Sequence, residues 1–370
     1  MHCIDAIIQE MKFGWFPVGS RAMLAWLMAV LLLGAAIPCA AQTSPERRLR
    51  IVGGLAGVSQ YTLHEEPFWS RDLERLSGGK FTASIVPFNR AGVPGPEMLN
   101  LMKLGVIPFG TALLSQAVSD QPELGAADLA GLNPDMPTLR RVIASFRPRL
   151  EAMLHERFGI ELLAVYVYPA QVLFCKRAVT QLSDLAGRRI RVSSASQADF
   201  VGALKATPVL IEFAEIMSNM KSDNTECAIT GAMSGNTLGL HQTTSVLYTM
   251  PLTWGLAVFG ANRETWNQLP SDLKALLKTE LPKLEAAVWA ESERETRVGV
   301  ACNTGADACS RGTKGTMVEV RPSAADEHRR REIFAKDVLQ PWLRRCGANC
   351  VQLWEQTIGP AVAIKAQGSQ

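Results

Sequence analysis

The 370-residue sequence lacks the features that define several large functional classes. Its formal net charge is only +3, and no run of lysine and arginine is interleaved with aromatic residues, which argues against a nucleic-acid partner. Charged residues make up 20% of the chain and aromatic residues 7%, as in folded proteins and unlike disordered ones. The 47% hydrophobic content suffices for one large domain or two medium ones.

Signatures of catalytic and metal chemistry are also missing. Residues 50–54 (RIVGG) resemble the activation site of trypsin-like proteases, but no GDSGG-type serine loop accompanies them, so we interpret them as a first strand entering a turn. Ser234, within the string GAMSG, lacks the GxSxG spacing of a nucleophile elbow. Residues 64–67 (HEEP) lack the second histidine of a zinc helix and are interpreted as surface. The five histidines are isolated and no CxxC occurs, so we expect no metal, no cofactor and no enzymatic activity.

The N-terminus carries a long apolar run that the rest of the chain does not repeat. Residues 22–37 (AMLAWLMAVLLLGAAI) follow Lys12 and Arg21 and precede the small residues of the string PCAA. A positive segment, a short apolar segment and a small-residue cleavage site are typical of a secretory signal. The run is shorter than the ~20 residues that span a bilayer. We therefore expect residues 1–41 to be a signal peptide, cleaved near Ala41, and the mature protein to be exported.

An even number of cysteines follows the expected cleavage site: Cys175, Cys227, Cys302, Cys309, Cys346 and Cys350. In an exported chain this is typical of disulfide bonds. Cys302 with Cys309, and Cys346 with Cys350, each close a short loop that contains a glycine, which favours local pairs. Cys175 with Cys227 would form a long-range pair. Free buried thiols are the alternative for all of them.

The first half of the mature chain alternates strand-like and helix-like patterns. Strands are predicted over residues 49–53, 81–87 and 106–114, and helices over 61–76 and 96–104. This β-α-β-α-β rhythm predicts a parallel sheet flanked by helices.

The rhythm restarts in a second block, after an amphipathic helix that is predicted between Arg140 and Phe158 and ends at Gly159. Strands are predicted over residues 189–192, 208–211 and 225–229, and a helix of about 30 residues over 270–300, which Pro282 should kink. Two α/β blocks and a long late helix indicate a hinged, two-lobed protein whose ligand lies in the crevice at the carboxyl ends of the strands.

A pair of arginines stands out in the second block. In residues 182–192 (LSDLAGRRIRV), the period of a strand sends Arg189 and Arg191 to one face and Ile190 to the other. Arg191 is nearest the carboxyl end, where a crevice ligand binds. Its planar guanidinium can pair with both oxygens of a carboxylate. A surface salt bridge is the alternative role.

Several strings occur in an order and spacing that one known family shares: residues 174–176 (FCK), 187–192 (GRRIRV), 206–209 (ATPV), 213–215 (FAE) and 226–231 (ECAITG). Together they resemble the solute-binding proteins of TRAP (tripartite ATP-independent periplasmic) transporters, DctP type. The likeness covers roughly residues 49–300.

The resemblance implies an α/β, two-lobed periplasmic binding protein fold with hinge strands and a long kinked helix that bridges both lobes. Lobe I would comprise residues 49–169 plus 255–285, and lobe II residues 170–254 plus 286–370. The protein would then work in the periplasm.

The resemblance also implies site residues. The family arginine that pairs with the ligand carboxylate matches Arg191, and the phenylalanine that lines the pocket matches Phe213. Thr230 stands where the family has an asparagine that supports the same carboxylate. Gln171 stands where sialic-acid-binding members carry a second arginine.

The sequence departs from the family pattern at several positions. Lys205 replaces a glycine, and Asp223 with Asn224 replaces a Gly-Val turn, although Asp and Asn tolerate such turns. Gly54 and Ala112 stand in place of polar contacts from the first lobe. A bulky sugar acid is therefore not expected.

Two aromatic residues point to the nature of the ligand. Trp254 and Tyr168 favour a mono- or dicarboxylate with an apolar or aromatic body, with Trp254 as plain core the open alternative. The implied function is an extracytoplasmic receptor that captures a small organic acid and delivers it to TRAP membrane permease subunits. The alternatives are a secreted α/β hydrolase and a ligand-sensing partner of a signalling receptor.

Overall fold

The computed structural model describes residues 47–117 and 121–366. The expected signal peptide, residues 1–41, lies outside these ranges, and so does its cleavage site. Within them, none of the helices combines the length and apolarity that crossing a membrane requires.

The strands of the described ranges form two separate sheets, one of five strands and one of six. Their bounds are β1 Arg47–Gly53, β2 Phe81–Pro87, β3 Phe109–Leu113, β4 Ile160–Val167, β5 Gln171–Cys175, β6 Arg189–Val192, β7 Thr207–Leu210, β8 Cys227–Gly231, β9 Val246–Thr253, β10 Leu256–Asn262 and β11 Val318–Val320.

Helices cover the faces of both sheets. The α-helices of the described ranges are α1 Leu73–Leu76, α2 Met98–Lys103, α3 Leu114–Ala117, α4 Met136–Phe158, α5 Ala195–Ala203, α6 Ile216–Lys221, α7 Ala232–Leu238, α8 Arg263–Asn267, α9 Ser271–Thr304, α10 Ala324–Ile333, α11 Leu339–Cys346, α12 Ala348–Gln356 and α13 Ile358–Val362. Segments of π-helix are Gln60–Glu65, Phe68–Asp72 and Phe334–Val338, and 3-10 turns are Gly95–Glu97, Pro122–Asp128, Leu182–Leu185, Phe213–Glu215 and Leu240–Gln242.

The first sheet has the order β2-β1-β3-β10-β4. Strand β1 runs parallel to β2 and β3, as the rhythm predicts. Strand β10, which lies outside the stretch that this prediction covers, runs antiparallel to both β3 and β4. The reason is its connection: β10 enters directly from β9 of the other sheet, without a crossover helix, and so arrives from the opposite end.

The second sheet has the order β11-β9-β5-β8-β6-β7. Strand β6 is parallel to β7 and β8, whereas β5 is antiparallel to β8 and β9. Strands β5 and β9 are absent from the predicted elements. Both strands are almost wholly buried, so they lack the alternation of polar and apolar residues that is typical of a strand with one solvent-exposed face.

Local signals set the ends of helix α4. It begins at Met136, four positions before the predicted start, because the Asp135 carboxylate caps it by accepting a hydrogen bond from the Thr138 amide at 2.7 Å. It ends, as predicted, at Gly159, which has the left-handed φ of 59° that a glycine adopts without strain.

The long helix α9 contacts elements of both sheets. It continues through Pro282 for 34 residues. In its middle, the Trp289 indole donates to the Val165 carbonyl of β4 at 2.8 Å. Near its end, the Asn303 amide donates to the Ala232 carbonyl of α7 at 2.9 Å. The helix thus ties the two sheets together, and its kink remains a prediction.

The chain also passes directly between the sheets at two short crossings. Between β4 and β5, the Ala170 amide donates to the Thr296 hydroxyl of α9 at 3.0 Å. Between β9 and β10, the amides of Trp254 and Gly255 donate to the Asp128 carboxylate at 2.9 and 2.7 Å. These bonds hold both crossings to the surrounding helices and turns.

The six cysteines of the described ranges form the three expected disulfide bonds, so none of the six is a free thiol. The long-range pair joins Cys175 to Cys227, which lie opposite each other on the antiparallel strands β5 and β8. Both are fully buried. The other two pairs join cysteines that are 7 and 4 positions apart in the sequence.

Candidate ligand-binding site

A small cavity of about 70 Å³ lies among residues of both sheets. Five of the six predicted ligand-binding residues line it: Tyr168, Gln171, Arg191, Phe213 and Thr230. We call it the arginine cavity. It lies at the carboxyl ends of β6 and β8, where a crevice ligand is expected in α/β sheets.

Arg191 is the charged centre of this cavity. It is only 4% exposed, and its Nε and Nη1 atoms donate to the carbonyls of Ile211 at 2.9 Å and Ile229 at 2.6 Å. Burial lowers the pKa of the guanidinium to about 10, against the opposing effect of the Glu212 charge, so Arg191 is cationic at neutral pH.

No carboxylate of the described ranges forms an ion pair with Arg191, and its Nη2 atom has no hydrogen-bond partner there. A buried charge without a counter-charge is unfavourable in a folded protein. The arrangement therefore suits an anion that enters the cavity.

Arg189, two residues earlier on the same strand, is different. It is exposed, and its side chain donates to the carbonyls of Asn224 at 2.9 Å and Asp223 at 2.7 Å. The surface salt bridge that was the alternative role for Arg191 is wrong, because Arg191 is buried, whereas Arg189 lies at the surface and binds backbone carbonyls.

A chain of amides fixes the orientation of Gln171. Its Oε1 accepts from Gln197 Nε2 at 2.9 Å, which also donates to the Thr253 hydroxyl at 2.7 Å. Gln197 is anchored in turn by the Ser193 amide, which donates to its Oε1 at 2.8 Å. The side-chain oxygen of Gln171 thus already accepts a hydrogen bond, which leaves the side-chain NH₂ group as a donor for a ligand.

Tyr168 brings a neutral donor to the cavity. It is 6% exposed, and burial raises the pKa of its phenol well above the usual value, so it stays protonated. The hydroxyl lies near Leu55 and Gln60 but makes no hydrogen bond of good geometry within the described ranges. A ligand oxygen can satisfy it.

Trp254 does not line the arginine cavity. It is 3% exposed in the main hydrophobic core, and its indole donates to the Asn133 carbonyl at 3.1 Å. The structure places this residue in the core, the alternative left open by the sequence.

Sequence reasoning missed several lining residues: Leu55, Val58, Ser115, Gln116, Ser193 and Ser234. The polar ones among them follow the carboxyl ends of β3, β6 and β8 within a few positions. That position, rather than any motif, was the signal that could have found them.

The interpretation of residues 64–67 as surface is wrong for Glu65, which is fully buried. Its carboxylate accepts hydrogen bonds from the Gly54 amide at 2.6 Å, the Thr111 hydroxyl at 2.8 Å and Gln60 Nε2 at 3.3 Å. Burial raises the pKa of Glu65 to about 7, although these hydrogen bonds oppose the shift. The Glu65 carboxylate thus fixes the turn after β1 through the Gly54 amide, next to the Tyr168 hydroxyl.

One grouping of possible metal ligands occurs in the described ranges, formed by Glu123, Cys346 and Cys350. The two sulfur atoms are bonded to each other, and the Glu123 carboxylate is paired with Arg157. All of these groups are therefore already engaged.

Comparison with known proteins gives the family. Residues 58–298 match the family described as bacterial extracellular solute-binding protein, family 7, or DctP. The chain belongs to this family. This solute-binding protein is accordingly a TRAP-type receptor and not an enzyme, which excludes the hydrolase alternative.

Solved structures show the same fold. An extracytoplasmic solute receptor of Bordetella pertussis binding pyroglutamic acid is 18% identical, with a TM-score of 0.72, over 84% of this chain and 98% of the other. TRAP solute-binding proteins of Desulfovibrio salexigens with orotic acid (15% identity, TM-score 0.74) and Rhodoferax ferrireducens with malonate (18%, 0.73) each cover 85% of this chain and 98% of their own. The predicted two-lobed binding-protein fold of this solute-binding protein is thereby confirmed.

Proposed function

We propose that this solute-binding protein captures a small organic carboxylate in the periplasm, with Arg191 as the ligand's counter-charge, and delivers it to TRAP membrane permease subunits. The single observation that carries the proposal is the buried guanidinium of Arg191, which has a free Nη2 and no ion-pair partner within the described ranges. A carboxylate there completes both the charge and the hydrogen bonding.

The neutral groups of the cavity fit the same ligand. The Tyr168 hydroxyl and the Gln171 amide are donors, and Thr230 adds a hydroxyl beside them. The solved structures of similar fold contain pyroglutamic acid, orotic acid and malonate, each of which carries a carboxylate.

The size of the cavity limits the part of the ligand that it encloses. A water molecule needs about 10–15 Å³ of such space. A cavity of about 70 Å³ therefore encloses a group of about five to seven non-hydrogen atoms, such as a carboxylate with its neighbouring carbons.

We place the lobe boundaries at the two crossings and on helix α9. Lobe I then comprises residues 49–169 plus 255–285, and lobe II residues 170–254 plus 286–370. Tyr168 and Leu55 belong to the first and Arg191 and Thr230 to the second, so a bound ligand contacts both lobes. Closure of the lobes would exclude water and strengthen the Arg191–carboxylate pair.

The test is calorimetric binding of malonate, pyroglutamate and orotate to the wild type and to Arg191→Lys. Lysine keeps the charge but cannot form the planar pair, so affinity should fall about tenfold or more. Arg189→Lys, on the same strand, is the matched control and should change affinity less than about twofold. Affinity within a few-fold of wild type in Arg191→Lys would show the carboxylate assignment to be wrong.

Delivery to a permease is tested separately. Membrane vesicles that contain TRAP permease subunits of the same organism should accumulate the labelled ligand only when the loaded receptor is added. Accumulation that is independent of the receptor would contradict the transport role and would favour a sensor.

A further inference from the structure

A second and larger cavity, of about 570 Å³, adjoins the arginine cavity. We call it the side chamber and define it by wall residues that line it alone: Leu124, Leu129, Ala198, Leu256 and Trp342. Its volume falls in the range of about 300–1,000 Å³ that is common for small-molecule sites.

The two cavities share five lining residues: Ser115, Gln116, Ser193, Leu210 and Glu212. At the boundary between the cavities, Gln116 Nε2 donates a hydrogen bond to Glu212 Oε2 at 2.8 Å. Because this bond is exposed to water, water molecules replace it when it breaks, and the free-energy cost is small. A ligand anchored on Arg191 can therefore extend past it.

The walls of the side chamber are mainly apolar. Leu210, which lines both cavities, is 73% exposed and supplies apolar surface that water covers. Leu124, Leu129 and Leu256 are each at most 2% exposed and form the packed layer of the walls. The Trp342 indole already donates to the Pro122 carbonyl at 2.8 Å, which leaves its ring as apolar surface. Such walls gain free energy when an apolar group replaces water.

The charges of the side chamber disfavour a second carboxylate. Its cationic side chain, Arg345, is already paired with the Asp199 carboxylate. Two acidic residues, Asp128 and Glu212, also line the chamber. A second negative group would meet these carboxylates without a free cation among the described lining residues.

We propose that the side chamber receives the apolar body of the ligand whose carboxylate binds Arg191. The preferred ligand is thus a monocarboxylate with an aliphatic or aromatic tail, and not a dicarboxylate. This inference rests on the proposed function and narrows its substrate class.

The test uses calorimetry with butanoate, hexanoate and octanoate. Burying one methylene group strengthens binding by about fourfold, so affinity should rise with tail length once the tail enters the chamber. Ala198→Phe places a ring in the chamber and should weaken octanoate by about tenfold or more while changing butanoate by less than about twofold. The control is Ala203→Phe, on the same helix, which lines neither cavity.

Three results would overturn the inference: no binding of the series at any tail length, affinity that does not rise with length, or equal weakening of butanoate and octanoate by Ala198→Phe. If that variant does not fold, Ala195→Phe, which is exposed on the first turn of the same helix and also lines the chamber, replaces it. The Arg191→Lys variant separates the two proposals. If short acids bind and depend on Arg191 but tail length has no effect, only the side chamber is refuted. If the affinity for the acids is the same in wild type and Arg191→Lys, the proposed function is refuted as well.

Discussion

At the scale of single residues, two departures from the family pattern lie in the same unusual backbone conformation. Lys205 and Asp223 have φ values of 57° and 58°, in the left-handed region that glycine adopts most easily. Lys205 stands where the resemblance has a glycine, and Asp223 begins the turn that replaces Gly-Val. Both residues therefore have a backbone conformation that a glycine adopts without strain.

Lys205→Gly should stabilise the protein. A lysine in this conformation is strained by about 1–2 kcal/mol relative to a glycine, part of which is offset by the greater freedom of glycine in the unfolded chain. We expect a net gain of about 0.5–1 kcal/mol in the free energy of unfolding, measured by urea denaturation. Lys205→Ala retains the Cβ and should give no gain. A loss of stability in Lys205→Gly would contradict this explanation.

The buried Glu65 should make stability depend on pH. The folded protein raises the pKa of this carboxyl from the ordinary 4.5 to about 7, so between these values the folded state holds a proton that the unfolded state has released. The contribution of Glu65 is thus fully present below pH 4.5 and is lost as the pH rises through about 7. Glu65→Gln should flatten this fall in thermal-melt measurements.

The exposed neighbour supplies the control for that experiment. Glu66→Gln should leave the pH dependence of wild-type stability unchanged, since Glu66 lies at the surface. An unaltered profile in Glu65→Gln would refute the assignment.

Residues differ in how far the sequence predicts them. The position of Arg191 in the cavity could be predicted, because its signals are local: the strand period, the preceding glycine turn and the resemblance. Glu65 could not, because its hydrogen-bond partners Gly54 and Thr111 lie 11 and 46 positions away, and nothing near it in the chain marks it as buried.

At the scale of elements, helices α9 and α7 approach each other closely at Gly299. A Cβ atom at Gly299 would lie 2.3 Å from the backbone nitrogen of Met233, far inside van der Waals contact. Gly299 therefore allows α9 to lie directly against α7 and so to join the second sheet.

Gly299→Ala should destabilise the protein by about 1–3 kcal/mol, because two backbones must separate to admit one methyl group. Gly202 on α5 is the matched control: it is also helical, but a Cβ there meets nothing within 4 Å. Gly202→Ala should be neutral or stabilising by up to about 1 kcal/mol. Equal effects of the two changes on the denaturation midpoint would contradict the close-packing argument.

Elements were predictable where sequence patterns were regular. Helix α4 and strand β6 carry caps, glycine stops or alternation, and they were predicted to within a few residues. Strands β5 and β9 lie in the middle of the second sheet, where both faces are covered and alternation disappears.

At the scale of the whole molecule, the restart of the α/β rhythm correctly predicted two sheets. The residue pattern alone does not predict the two crossings, because they depend on strands β5 and β9 and on distant partners such as Asp128. The lobe boundaries that coincide with them, after residues 169 and 254, came from the resemblance. Those crossings place residues from both sheets around one cavity, so the proposed binding there should be linked to the stability of the entire fold.

We therefore expect a ligand to raise the melting temperature of the whole chain, with both sheets unfolding in a single transition. At a concentration of 100 times the dissociation constant, mass action adds about 2.7 kcal/mol to the free energy of unfolding. Scanning calorimetry should show both sheets melting together at a higher temperature. A ligand-dependent shift in only one part of a split transition would mean that the ligand contacts one lobe alone.

The guanidinium of Arg191 is held by the carbonyl oxygens of Ile211 and Ile229, which are main-chain atoms that every amino acid possesses. Replacing these isoleucines leaves the acceptors in place. The surrounding walls, at Leu55, Val58 and Phe213, can then vary while the anchor keeps its position. A library randomised at those wall positions is accordingly a direct route to receptors that recognise new acids, with the same arginine retained in each of them.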